Sequence, residues 1–242
     1  MTAESIIYDV FEIKSQLTDD TDLDELWVLT KINAYRQIFI ALDYQLTHII
    51  RPSWLQRFPK TKVDKINSAD DPSIILTSIN LGKVIIPKVL SLPEDLGLYR
   101  ITGSSGISQY QPIDLNTLMM KIDIGEERSP DYGYSARVGN ILYLWPLCLE
   151  ISGTIIAENP FDIKVNDNGT LRDRLVSDDY PIDDDLAQKI VLEILTKDLL
   201  INDQQIGHLV NDVPSDLKIL HPNQQQLQPQ QNANNQQQAN NG

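Results

Sequence analysis

Catalytic and metal centres need nucleophiles, bases or ligands at workable spacings, and this chain offers few. Its histidines, His48, His208 and His221, and its lone cysteine, Cys148, lie far apart and form no local zinc pattern. Cys148 sits in the apolar run Ile141 to Ile151, where a small buried hydrophobe is expected rather than a nucleophile. A lone cysteine also forms no intrachain disulfide and fits a reducing compartment. Gly103-Ser104-Ser105-Gly106 lacks the Gly-x-Ser-x-Gly spacing of a nucleophile elbow and reads as a hairpin tip. Asn166-Asp167-Asn168-Gly169 looks like part of a calcium loop. Placing Gly169 at the loop's glycine position, however, puts Lys164 and Leu175 where acidic ligands belong, which leaves a tight turn. Asp178, Asp179 and Asp183 to Asp185 could hold calcium or magnesium and serve a metal-dependent hydrolase. Their place around Tyr180-Pro181, just before a helix, favours capping and solvated charge. There is no phosphate loop and no Gly-x-Gly-x-x-Gly. The expectation is a protein without catalytic residues, cofactor or metal, and so not an enzyme.

Charge narrows the partners. Thirty-four acidic residues against twenty basic ones give a net charge of −14, a surface that repels nucleic-acid phosphates unless a local basic patch overrides it. One basic cluster exists: Arg51, Arg57, Lys60, Lys62 and Lys65 follow a predicted helix and sit among Pro52, Trp54, Phe58 and Pro59. It reads either as an anchor for an acidic partner or as a solvated connecting loop. The candidate partner contacts are Tyr35, Arg36, Arg51, Trp54, Arg57 and Phe58, while Trp27, Phe39, Tyr143 and Trp145 are expected in the core. An adhesive or glycan-binding module is the alternative. It would instead expose Trp54, Tyr132, Tyr134 or Trp145 as stacking surfaces.

The elements that must position these residues follow from periodicity. Residues 3 to 17 carry Ile6, Val10, Ile13 and Leu17 at steps of three and four, with Ile7 and Phe11 widening the stripe, which predicts an amphipathic helix. A second, longer helix is predicted from Asp22, which has capping-box spacing to Glu25, with an apolar stripe through Leu26, Leu29, Ile32, Tyr35, Phe39, Leu42, Leu46 and Ile49, ending at Pro52. The short join, Thr18 to Thr21, implies a helical hairpin. Prolines, glycines and β-branched runs then replace helical periodicity as far as about Pro181. Strands are expected at Ile74 to Ile79, Val84 to Leu90, Leu96 to Thr102, Ile107 to Gln111, Tyr134 to Val138, Ile141 to Trp145 and Ile151 to Ala157. Gly139-Asn140 predicts a type II′ hairpin turn, and Asp114 caps a short helix over Leu115 to Lys121. Asp183 to Asp185 open a further helix with Leu186, Ile190, Ile194 and Leu195 facing inward, and Asn202 to Val210 reads as another.

The 41% hydrophobic content is enough for a sizeable core, and no stretch nears the roughly 20 apolar residues of a membrane span. The Met1-Thr2-Ala3-Glu4 start lacks a signal-peptide layout, so a soluble protein is expected. Beyond Pro222 the chain is almost entirely Gln, Asn, Pro and Ala, too poor in apolar surface to repay its ordering entropy. The fold class is α+β: residues 1–51 form N-terminal helices that pack with helices in 183–221, residues 52–182 form a β-rich middle, and residues 222–242 form a disordered tail.

This order of elements resembles the head-to-tail connector (adaptor) proteins of tailed bacteriophages. A more specific likeness lies in Leu92-Pro93-Glu94-Asp95-Leu96-Gly97-Leu98-Tyr99-Arg100, an acidic Leu-Pro entry to a strand, and in the hairpin Gly139-Asn140-Ile141-Leu142-Tyr143-Leu144-Trp145-Pro146. It spans about residues 20 to 200. The Gln/Asn-rich tail and the Asn/Ile/Lys-leaning composition are similar to those of crAss-like phages. The resemblance implies a virion protein, assembled in the host cytoplasm. It would form a homo-oligomeric ring, dodecameric in the family, docked on the portal or a neighbouring neck ring and passing the genome through its lumen without sequence-specific binding. An acidic wall suits that role because it does not grip DNA, although acidity also serves ordinary solubility.

Overall fold

The structure, a computed structural model, describes residues 1–17, 23–66, 80–103, 109–124, 132–167 and 170–201. It is mixed α/β, with four α-helices among the described residues and a large middle that is mostly sheet. Residues Met1–Leu199 form one compact unit and Leu200–Gly242 a second. The expected strand at 74–79, the 104–106 hairpin tip, the helix at 202–210 and the tail at 222–242 lie outside the described residues.

Helix α1 (Ala3–Leu17) buries Ile6, Ile7 and Val10, as its spacing predicts. Helix α2 (Glu25–Thr47) departs from expectation in three ways. Its N-cap is Asp24, whose carboxylate accepts from the Leu26 N–H at 3.0 Å, and the helix begins after that residue. It ends at His48, which takes a left-handed φ of 54° and donates its N–H to the Tyr44 carbonyl at 2.7 Å, well before Pro52. Its buried face is Val28, Ile32, Arg36, Ile40 and Tyr44, a strict i,i+4 row, so most of the predicted stripe lies off the core. Apolarity runs most of the way round α2, and the interior row includes Arg36, whose charge hid that face from the pattern. Of the expected core aromatics, Tyr143 and Trp145 are buried, but Trp27 and Phe39 are only half-buried.

The middle holds an eight-strand sheet in the order β1-β8-β4-β5-β6-β7-β3-β2. Its strands are β1 (Gln56–Lys62), β2 (Asp64–Lys65), β3 (Gly82–Ile85), β4 (Arg100–Gly103), β5 (Gln109–Pro112), β6 (Tyr132–Val138), β7 (Ile141–Trp145) and β8 (Glu150–Ile155). β1 runs into β2 across Val63 alone, so both ends of that order are one stretch of chain and the sheet closes on itself. Closure leaves no long edge to aggregate. Val63 donates its N–H to the Leu149 carbonyl at 3.0 Å, and a register shift between Phe58 and Thr61 supplies the bend. Phe58, Val84, Ile101, Leu142, Leu144, Ile151 and Ile155 come from five strands and fill one core. β3 stops short of Pro87, which cannot donate to a ladder.

The only parallel pair among the described residues, β5 with β6, needs a crossover, and helix α3 (Leu115–Ile124) lies between them in sequence. Asp114 caps α3 as predicted, accepting from the Thr117 N–H at 2.9 Å. Leu118 of α3 packs with Ala136, Tyr143 and Trp145, so β7 is buried on both faces. The β6–β7 turn also behaves as predicted: Gly139 takes φ 62°, open to glycine without cost, between the paired residues Val138 and Ile141. Two short strands, β9 (Val165–Asp167) and β10 (Thr170–Arg172), pair antiparallel, while the expected turn at 168–169 lies outside the described residues. Helix α4 (Asp184–Glu193) continues into a π-helical turn, Ile194–Asp198, and buries Leu186, Ile190, Ile194 and Leu195 as expected. α2 packs against both α1 and α4.

Candidate interaction surfaces

The six candidate contacts are not one patch. Arg36, expected at the surface, is 0% exposed. Its Nε donates to the Pro181 carbonyl and its Nη1 to the Ala157 carbonyl, each at 2.9 Å, and its guanidinium lies 5.8 Å from the Tyr180 ring centre. It thereby ties α2 to the chain leaving β8 and to the chain entering α4. Burial pulls its pKa down to about 10, and Nη2 has no hydrogen-bond partner among the described residues.

Arg51 is also taken up internally. Its guanidinium donates to Asp43 at 2.8 and 3.1 Å and to Asp183 and Asp185 at 3.2 Å, and it stands 5.5 Å from the Trp54 ring centre. Burial pulls its pKa down, but hydrogen bonds to Asp43 and Asp185 outweigh that and the net shift is upward. Trp54, 0% exposed, donates from Nε1 to Asp183 at 3.0 Å, and Ser53 donates to the same carboxylate. The end of α2 and the start of α4 are thus clasped by one arginine and three carboxylates.

Tyr35 is half-buried beside the π-helical turn. Its hydroxyl donates to Asp198 at 2.8 Å, and burial, reinforced by Asp198, pushes its pKa up to about 12. Phe58, 2% exposed, belongs to the barrel interior. Of the six, Arg57 alone is exposed, and it makes no ion pair among the described residues. Charge and aromaticity suggest surface chemistry, whereas buried carbonyls and carboxylates here recruit arginines and an indole N–H inward.

Of the carboxylates weighed as metal ligands, Asp178, Asp183 and Asp185 are engaged by other groups. Asp178 accepts from Arg172 at 2.7 Å through both oxygens and from the Leu175 N–H at 2.7 Å. Arg172 and that backbone bond hold its carboxyl well below the usual carboxylate range. Asp183 is held by Ser53, Trp54 and Arg51, and no group of three or more ligand side chains forms a metal cluster among the described residues. Of the stacking residues an adhesive module would expose, Trp54 and Trp145 are buried, whereas Tyr132 is exposed.

Two surfaces stand out. The first is an outward apolar stripe on α2: Ile38, Leu42 and Leu46 are 50%, 47% and 83% exposed, flanked by half-buried Tyr35 and Phe39 and continued past the cap by Ile49. These residues recur at steps of three and four and include much of the predicted stripe. The second is a cleft of about 1210 Å³ beside β1, β8 and β4. Ladder register sets Arg57 opposite Thr154 and Thr154 opposite Arg100, with Ser152 opposite Thr102 in the next outward row. In β8, Ile151, Gly153 and Ile155 alternate inward, so Ser152 and Thr154 turn out. Arg100, Lys164 and Arg174 were not anticipated here. The expected strand at Ile151 to Ala157 corresponds to β8, but the pairing of β4 with β8 across some fifty residues is a long-range fact no local pattern carries.

No helix among the described residues is long and apolar enough to cross a membrane. Comparison with protein-family models and with curated proteins finds no match for this chain.

Proposed function

We propose that the chain is a non-enzymatic structural subunit of a virion, assembling with copies of itself into a ring in the portal-to-tail neck of a tailed phage, where it joins capsid to tail and lets the genome pass. The observation that carries the reading is the outward apolar stripe of α2. Among the described residues α2 is buried along Val28, Ile32 and Ile40, and nothing covers its second stripe at Ile38, Leu42 and Leu46; an exposed apolar stripe marks a protein interface. Repetition of one heterologous contact closes a ring. The net charge of −14 per subunit suits a lumen that does not adhere to DNA. The helical ends serve as the assembly face, and the closed sheet, rigid and edgeless, serves as a spacer.

The test is the double variant Leu42→Glu/Leu46→Glu. Both positions are exposed, so the subunit fold is retained while the association constant falls about a hundredfold or more, read by size-exclusion chromatography and circular dichroism together. Unchanged assembly of a normally folded double variant would remove α2 as the assembly face.

A further inference from the structure

We propose that the cleft beside β1, β8 and β4 is a docking site for an extended acidic segment of a partner protein, a surface separate from the α2 stripe. Five cationic side chains line it, Arg57, Lys60, Arg100, Lys164 and Arg174, against a single carboxylate, Asp179. That is a quarter of the basic residues of a chain in which acids outnumber bases 34 to 20.

The cations are not there to satisfy each other or the fold. Arg57, Lys60 and Arg100 form no ion pair among the described residues, and Lys164 reaches only the exposed Asp173, at 3.8 Å. Arg57 and Arg100 flank Thr154 in one cross-strand row, which holds their backbones about 10 Å apart. Like charges repeated on one sheet face make a local positive potential on a chain that is acidic elsewhere. Arg174 donates from Nη1 to the Asp179 carbonyl, but its buried Nε has no hydrogen-bond partner among the described residues, and burial lowers its pKa. The Thr154 hydroxyl adds a neutral donor to the same floor, beside the Thr102 and Ser152 hydroxyls, which lie 3.1 Å from each other.

Shape and chemistry select the ligand. The volume exceeds the several hundred Å³ usual for small-molecule sites and suits a peptide stretch. Arginine forks match carboxylates bidentately, and donors repeated along a strand face match carboxylates repeated along an extended chain. A single-stranded nucleic acid would want aromatic platforms, yet the aromatic lining residues Phe58 and Tyr180 are 2% and 3% exposed. A long polyanion would also meet the repulsion of the rest of the surface.

The experiment uses the full-length protein and a fluorescein-labelled dodecapeptide of alternating Asp and Ala, followed by fluorescence anisotropy at low and physiological salt. The expected result is saturable binding that weakens with salt and falls about tenfold or more in Arg57→Gln/Arg100→Gln. The control Lys83→Gln, on β3 outside the cleft, keeps wild-type affinity, and circular dichroism verifies the fold of each variant. Absence of saturation, equal loss in Lys83→Gln, or tighter binding of a labelled oligothymidylate of equal charge would overturn the proposal. Because the readout is peptide affinity rather than assembly mass, its failure is distinct from failure of the α2 assembly face.

Discussion

Arg36→Leu tests the interior most sharply. The guanidinium spans three elements, reaching from α2 to the Ala157 and Pro181 carbonyls at 2.9 Å each, with no exposure to solvent. Leucine fills similar space but leaves two buried carbonyls without donors, at about 1–3 kcal/mol each. Against this stands the relief of a desolvated cation whose Nη2 is unpartnered among the described residues and whose pKa is pulled down. The balance is a loss of about 3 kcal/mol, which at a urea m-value of about 2–3 kcal/mol/M lowers the unfolding midpoint by roughly 1 M. Trp54 and Trp145, both buried, report the transition by fluorescence. Arg36→Lys should fall between the two, because an ammonium is a point donor without the planar fork that reaches both carbonyls. A midpoint for Arg36→Leu at or above that of the parent would refute the argument, showing that desolvation outweighs both hydrogen bonds.

Other outcomes follow from particular contacts. Asp178→Asn should lower the melting temperature at neutral pH. Because Arg172 depresses the folded carboxyl below its ordinary 3.8, that contribution is present above this value and lost below it, so the two proteins' melting curves draw together as pH falls. A gap that stays constant into acid would contradict the pairing. Gly153→Ala sets a Cβ 2.5 Å from the Phe58 ring and 2.6 Å from the Arg100 carbonyl, which should cost about 1–3 kcal/mol in denaturant titration, whereas a silent change would place β8 wrongly against β1 and β4. Tyr35→Phe should remove one phenol whose ionisation is displaced upward to about 12, seen in an ultraviolet titration as the loss of one late step that precedes those of the more strongly shifted Tyr110 and Tyr180, since burial and Asp198 hold that proton. A titration that loses only a step at the ordinary tyrosine position would move Tyr35 away from Asp198.

Local signals in the sequence carried the local structure. Gly139-Asn140 gave its hairpin, Asp114 its cap, and the Leu186, Ile190, Ile194 and Leu195 spacing its buried face, because each depends on residues a few positions apart. The α2 face was misjudged because an arginine occupies its centre and periodicity counts only apolar residues. Closure of the sheet was invisible as well. It needs Gln56–Lys62 to pair with β8 and Asp64–Lys65 with β3, two partners far apart in sequence for one short run. The basic cluster was half legible: Arg57 and Lys60 were singled out, but their companions Arg100, Lys164 and Arg174 arrive from distant segments. Arg51 was drawn instead into the clasp with Asp43 and Asp183, residues whose proximity no spacing announces.

The central claim is assembly, and the mass of the purified full-length protein by multi-angle light scattering, across concentration and salt, tests it most directly. The account predicts a closed multiple of the 27.4 kDa subunit, formed alone or on mixing with a portal or neck-ring protein. A strict 27.4 kDa monomer at every concentration, with and without those proteins, would contradict it.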